Sequence, residues 1–143
     1  EGVLAHPDTL RIAPSDIARA PFKTAHGPEG STFAALSAAG DWLGVVTLER
    51  ESGREKRRHI AWIYRMYVAE RAAGQGIGRA LLAAAIERAR QLPGVTKLNL
   101  TVAAHNARAV ALYEAAGFLG FSREEDAFRD PLPRAELSMA RVL

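Results

Sequence analysis

A mixed α/β sheet flanked by helices is the fold class this sequence predicts, and three observations predict it. The nine residues IAWIYRMYV, from Ile60 to Val68, have the composition of a strand. They lead into three glycines at alternate positions, Gly74, Gly76 and Gly78, and then into the alanine-rich amphipathic stretch IGRALLAAAIERAR. A second apolar run, VTKLNLTV, follows that stretch. Strand, glycine turn, helix and strand make a crossover unit, which sets the two strands parallel and the connection right-handed. In such sheets the ligand crevice opens at the carboxyl ends of the strands, where these glycines stand.

The remaining elements follow in chain order as β-β-β-α-β-α-β-β. Residues 1–30 carry Pro7, Pro14, Pro21 and Pro28 with Gly2, Gly27 and Gly30, a punctuation that opposes long regular elements. Ser15 suits the cap of a short turn through Ala20. From Thr32 the pattern clears. TFAALSA, a turn at Ala39, Gly40 and Asp41, and WLGVVTLE predict a two-strand hairpin. ESGREKRRH reads as a solvated loop, with phosphate binding by Lys56, Arg57 and Arg58 as the alternative. In the third strand Ile60, Trp62, Tyr64, Met66 and Val68 fall on one face, and Ala61, Ile63, Arg65 and Tyr67 on the other. Beyond the glycines Ile77, Leu81, Leu82, Ala85, Ile86 and Ala89 share one helical face, with Arg79, Glu87, Arg88 and Arg90 elsewhere. Pro93-Gly94 stops that helix. The next strand alternates Leu98, Leu100 and Val102 with Lys97, Asn99 and Thr101. A second helix starts near Asn106 and runs through ARAVALYEAA to Gly117, a suitable residue just past a helix end. Two closing strands, Phe118–Ser122 and roughly 134–142, flank a loop holding Pro131 and Pro133.

Composition bounds what such a fold does. One domain spanning 1–143 is expected from the length, enough to bury roughly two thirds of the unfolded surface. A net charge of +3 and a pI near 9.7 suit an anionic ligand. The 19 basic residues are scattered among 16 acidic ones, so no nucleic-acid partner is expected. The absence of Cys excludes disulfides, thiolate metal sites and a Cys nucleophile, and fits a cytoplasmic location. No apolar run approaches about 18 residues, so no membrane span is expected. The start, EGVLAHPDTL, lacks Met and a signal-peptide pattern, and residues before it are expected to be missing.

The glycine turn itself predicts an anion site. Glycines let a ligand approach the backbone, and the first turn of a helix offers unpaired N–H donors at the positive end of its dipole. A dinucleotide fingerprint would need Gly at position 79, which is Arg, and an acidic residue closing VTKLNLTV, which is absent. A P-loop would need Gly-Lys-Ser/Thr at the helix start, and neither Lys nor a hydroxyl is there. Plain tight packing of strand against helix is the remaining alternative.

VAERAAGQGIGRALL resembles the acetyl-CoA-binding segment of the GNAT N-acetyltransferases, whose pattern is Q/R-x-x-G-x-G/A at a strand-to-helix turn. HNARAVALYEAAGF resembles that family's second signature, N-x-x-A-x-x-L-Y-x-x-x-G-F, at Asn106, Ala109, Leu112, Tyr113, Gly117 and Phe118. KRRHIAWIYRMYV and AELSMA also resemble bacterial members, so the likeness covers roughly Thr32 to the C-terminus. The family's first helical part is not recognisable before residue 30. The resemblance implies the acyl-CoA N-acyltransferase fold, with acetyl-CoA as cosubstrate, no metal, and direct acetyl transfer to a primary amine. One departure stands out: Ala73 occupies the place of the usual Arg or Gln. Arg71, curling back, is one substitute; backbone N–H groups from Gln75 to Arg79 are the other.

By resemblance the cofactor site comprises Met66, Tyr67 and Val68 along the pantetheine arm, Gly74, Gln75, Gly76, Ile77, Gly78 and Arg79 at the pyrophosphate, and Asn106 and Tyr113. A backbone N–H at the end of the third strand would polarise the thioester carbonyl. Tyr113 is the candidate acid, because a Tyr pKa near 10 keeps its proton at neutral pH and serves a departing thiolate. Glu49, Tyr64 and His59 are the alternatives for a base, beside water. Trp62 and Tyr64 read as core packing, with an acceptor pocket as the alternative. The acceptor is a small-molecule or peptide amine, and monomer and homodimer stay open. A non-catalytic acyl-CoA-binding module on the same fold, and a nucleotide-binding domain of another class, are the rival readings.

Overall fold

The computed structural model describes residues 17–19, 30–51 and 53–143. Its elements are β1 (Ile17–Arg19), β2 (Gly30–Leu36), β3 (Trp42–Arg50), β4 (Ile60–Val68), α1 (Ile77–Gln91), β5 (Lys97–Ala103), α2 (Ala107–Ala115), β6 (Leu119–Asp130) and β7 (Leu132–Val142). The seven strands form one mixed sheet in the order β1-β2-β3-β4-β5-β7-β6. Only β4 and β5 are parallel, as the crossover through α1 requires; the other neighbours are antiparallel.

Hydrophobic spacing explains how the sheet is covered. The six α1 positions expected to face inward are its buried residues, and they join Val46, Leu48, Ala61, Ile63, Leu98 and Leu100 in one cluster. Each fully buried Leu or Ile is worth roughly 1.5–3 kcal/mol over exposure. A helix of 15 residues, marginal in isolation, is therefore held by its face. α2 begins at Asn106, whose side chain accepts from Ala109 N at 3.1 Å, and closes with Phe118 N donating to Tyr113 O at 3.0 Å. That closure seats the fully buried Phe118 beside Tyr113. No helix among the described residues is long and apolar enough to cross a membrane.

Four expectations need correction. Ser15 and Ala20 lie outside the described residues, and between them Ile17–Arg19 pairs with β2 as a short edge strand instead of a turn. The closing strands are much longer than expected: β6 and β7 meet at Pro131, and Pro133 sits inside β7 opposite Arg129 near the hairpin tip. The strict alternation assigned to β4 fails at a bulge. Val45 pairs Tyr67 and Thr47 pairs Tyr64, so Arg65 and Met66 together oppose Val46. That extra residue shifts Met66 and Val68 onto the clustered face with Ala61 and Ile63, and leaves Tyr64 opposite, 43% exposed. Tyr64 is therefore not core packing; it stacks on Trp62 with ring centroids 6.3 Å apart, outside the main cluster.

The bulge has a partner feature. β4 and β5 pair only from Ile60–Lys97 to Trp62–Asn99, and then part, while β5 goes on pairing with β7 as far as Ala103. The carboxyl half of β4 thus turns an unpaired edge toward a gap within the sheet.

Candidate functional site

A cavity of about 630 Å³ fills that gap on the helical side. Its walls are the end of β4 (Met66, Tyr67, Val68), the turn into α1 (Gly74, Gly76, Ile77, Gly78, Arg79) and α2 with its cap (Asn106, Tyr113). Ten of the eleven residues expected at the cofactor line it; Gln75 does not. Sequence reasoning missed Ala72, Ala73, Arg108, Ala109 and Leu112, which line it too.

The three glycines serve two ends. Gly74 and Gly76 lie at φ of 82° and 79°, a left-handed backbone that L side chains adopt at a cost, and a Cβ on Gly76 would point into open space. Gly76 also caps α1 without any side-chain acceptor, so the N–H groups of the first turn have no partner from the cap. Gly78 differs. A Cβ there would come within 3.1 Å of Leu112 Cδ2, so its smallness lets α1 and α2 approach. Packing explains Gly78; the anion-cradle geometry belongs to Gly74 and Gly76.

Arg71 does not curl back to replace the side chain missing at Ala73. Its Nη2 donates to Trp42 O at 3.3 Å, and it is absent from the cavity wall. Arg108 comes nearer, with its Nη2 3.8 Å from where a Gly74 Cβ would be. Neither the Arg79 nor the Arg108 side chain has a hydrogen bond or ion pair among the described residues. Two free guanidiniums beside unpaired helix N–H groups fit a phosphate-bearing ligand. Only the placement of Arg108 in the first turn of α2, over the α1 turn, makes this visible; spacing in the chain does not. Lys56, Arg57 and Arg58 stand at the other end of β4. Arg57 pairs with Glu51 at 3.1 Å, and the Arg58 carbonyl accepts from Arg50.

A second cavity of about 280 Å³ adjoins the first. It shares Met66, Asn106, Ala109 and Tyr113 with it, and adds Tyr64, Arg65 and Thr101. Tyr64 and Thr101, both exposed, lie outside the buried cluster, so the second cavity is lined partly from the sheet face away from α1. Tyr113 stands at the junction. It is 5% exposed, meets Phe118 edge-on at 5.9 Å, and burial pushes its hydroxyl above the ordinary Tyr value. Tyr113 thus belongs to the core and lines both cavities.

The other titratable candidates separate. Glu49 is buried at 5% exposure on β3 opposite Trp62, not a surface charge at a strand end. Tyr64 lines the second cavity; desolvation first, then Glu49 and Glu51, raise its pKa. His59 is exposed before β4, where its carbonyl accepts from Thr96 N and Lys97 N, and it lines neither cavity.

Comparison with known proteins gives this geometry its relatives. A family model described as the acetyltransferase (GNAT) family matches residues 5–118, beginning well before Thr32 and ending at Phe118. No curated protein matches the chain. Among solved structures, a GNAT-family acetyltransferase from Streptococcus pneumoniae is 27% identical with a TM-score of 0.74, covering 80% of this chain and 67% of that one. A ribosomal-protein-alanine N-acetyltransferase from Brucella melitensis is 30% identical with a TM-score of 0.71, covering 80% and 69%. A GCN5-related N-acetyltransferase from Kribbella flavida is 29% identical with a TM-score of 0.75, covering 85% and 73%. With strands that part beside a glycine-turned helix, and a family match across most of its length, the chain belongs to the GNAT acetyltransferase family.

Proposed function

We propose that the protein is an acetyl-CoA-dependent N-acetyltransferase that acetylates a primary amine by direct attack. The observation that carries this reading is the meeting of two cavities at Tyr113, one basic and glycine-turned, the other polar and open to the opposite sheet face. In this reading Gly74, Gly76 and the first-turn N–H groups of α1, with Arg79 and Arg108, hold the pyrophosphate. The unpaired edge of β4 from Met66 to Val68 pairs with the pantetheine amides as an added strand would, and one N–H there supports the thioester oxygen. The amine enters by Tyr64 and Thr101. Its nitrogen attacks the carbonyl carbon and the C–S bond breaks. The nitrogen's proton leaves to water, directly or through Tyr64. Tyr113 donates a hydrogen bond and then its proton to the sulfur, and is reprotonated from solvent. No acyl-enzyme is needed, consistent with a chain that has no Cys.

Thermal denaturation tests the binding half. Acetyl-CoA should raise the melting temperature while NAD and ATP leave it in place, because a ligand that binds only the folded state stabilises it. No shift with acetyl-CoA would overturn the proposal. Thiol release across amino acids, peptides, polyamines and aminoglycosides tests the transfer half; stabilisation without any turnover would favour a binding module.

A further inference from the structure

The second cavity carries a cation that the transfer steps leave unused. Arg65 sits in the β4 bulge at φ 52°, a backbone region that Gly or Asn occupies at less cost and that an Arg holds only when its surroundings impose it. The bulge takes this residue out of the strand alternation and into the cavity wall beside Tyr64 and Thr101. Its guanidinium has no hydrogen bond or ion pair among the described residues. It is also the only charged side chain among those described that line this cavity. A planar fork of donors in that position matches a carboxylate with two parallel hydrogen bonds.

Two acidic residues stand near Tyr64, Glu51 among them already paired with Arg57. Glu49 and Glu51 lie close enough to help hold the Tyr64 proton in place. An acceptor in the second cavity therefore meets Arg65 beside Tyr64, with the carboxylates of Glu49 and Glu51 near Tyr64 but outside the cavity wall. That arrangement complements a small zwitterion better than a polyamine or the terminus of a long peptide.

Resting on the acetyl-transfer reading, we propose that the acceptor is an amino acid-like molecule whose carboxylate is held by Arg65 while its amine faces Tyr113. Arg65 is then the residue that sets acceptor specificity.

The test uses matched pairs, amino acids and their carboxamides, with spermidine as a polyamine control. Wild type, Arg65→Asn and Arg65→Lys are compared, Asn being a residue that tolerates the left-handed backbone. For at least one pair the wild type should show a kcat/KM about tenfold or more higher for the carboxylate, mostly through KM, a factor of ten being one charged contact. Arg65→Asn should lower the carboxylate to the level of its amide, and Arg65→Lys should keep part of the preference. A best acceptor without a carboxylate, or a preference that survives Arg65→Asn, overturns the inference. Melting temperatures of the CoA-saturated protein with each pair give a readout independent of turnover. If CoA stabilises but nothing is acetylated, the transfer reading has failed, and the carboxylate site is judged on these shifts. Equal shifts within every pair then reject it.

Discussion

Tyr113 meets Phe118 edge-on in the core and still lines both cavities, so the replacement that isolates its hydroxyl is Phe. Tyr113→Phe should cut thiol release by tenfold or more, in line with general acid contributions of about 10²–10⁴, and leave acetyl-CoA affinity nearly unchanged. Equal loss of both, seen by calorimetry beside steady-state rates, would mark a packing role. Because burial holds the folded-state pKa above 10.0, the proton is present throughout the neutral range, and no falling limb below that pH should belong to Tyr113. The sign for stability is the same: the folded chain keeps this proton more tightly, so stability is intact below 10.0 and falls as pH rises past it. At the cradle, Gly76→Asp should abolish measurable acetyl-CoA binding while Gly76→Asn, equally tolerant of the left-handed backbone, keeps part of it. Similar affinities for the two would mean that charge at that turn is irrelevant. Arg108→Gln should raise the acetyl-CoA Kd by about ten- to a hundredfold, the worth of one charged hydrogen bond, and weaken the salt dependence.

Between elements, the connections rest on a few buried polar groups. Arg50, 6% exposed at the end of β3, donates from Nη1 to Arg58 O at 2.8 Å and from Nη2 to Pro93 O. One side chain thereby ties the loop before β4 to the loop after α1. A Lys offers one nitrogen in place of the two that reach these separate carbonyls, so Arg50→Lys should cost about 1.5–3 kcal/mol in urea unfolding; no change in midpoint would show the clasp to be idle. The neighbouring Glu51 accepts from Trp62 Nε1 at 2.8 Å and pairs with Arg57. Those contacts, Trp62 foremost, hold its carboxyl below the ordinary 4.5. Its contribution is therefore present above pH 4.5 and lost as pH falls through the lower folded-state value. Wild type should exceed Glu51→Gln in stability at neutral pH, and the two should converge on acidification. The bulge at Arg65 and Met66 shows why sequence alone misassigned this strand. Alternation in IAWIYRMYV reads as regular, and only pairing with β3 reveals that two residues oppose Val46. Local spacing made the glycine turn and the helix cap legible, and the family resemblance supplied the other cavity residues that were expected; the bulge and Arg108 escaped both, because they depend on which strand or helix lies alongside.

On the scale of the molecule, the sheet has a firm centre and a loosely held flank. β5 is paired on both sides at its start and buries Leu98, Leu100 and Val102, whereas β6 is an edge strand whose register shifts between Glu124 and Phe128. Amide exchange should be slowest in Leu98–Leu100 and fast around Asp126; a protected β6 edge in solution would mean that another chain covers it. The length of β6 escaped sequence analysis for the same physical reason. LGFSREEDAFRD leaves nearly all its side chains in solvent, so no apolar periodicity marks it as a strand, and pairing with β7 alone defines it. Conversely, the α1 face was legible because burial there imposes a period that the sequence has to respect, and the Asn106 to Phe118 segment because its cap, its Gly117 stop and the family signature mark it.

The parting of β4 from β5 has a kinetic corollary. Two adjoining cavities with separate entrances can be filled together, so neither molecule needs to withdraw before the other arrives. Initial-rate plots against acetyl-CoA at several amine levels should therefore intersect and not run parallel. Free CoA should compete with acetyl-CoA but not with the amine. The two mouths are also built from different side chains, Arg79 and Arg108 on one side, Tyr64 and Arg65 on the other. Substitutions at Tyr64 or Arg65 should therefore change which amine is preferred while leaving the acetyl-CoA Kd unchanged.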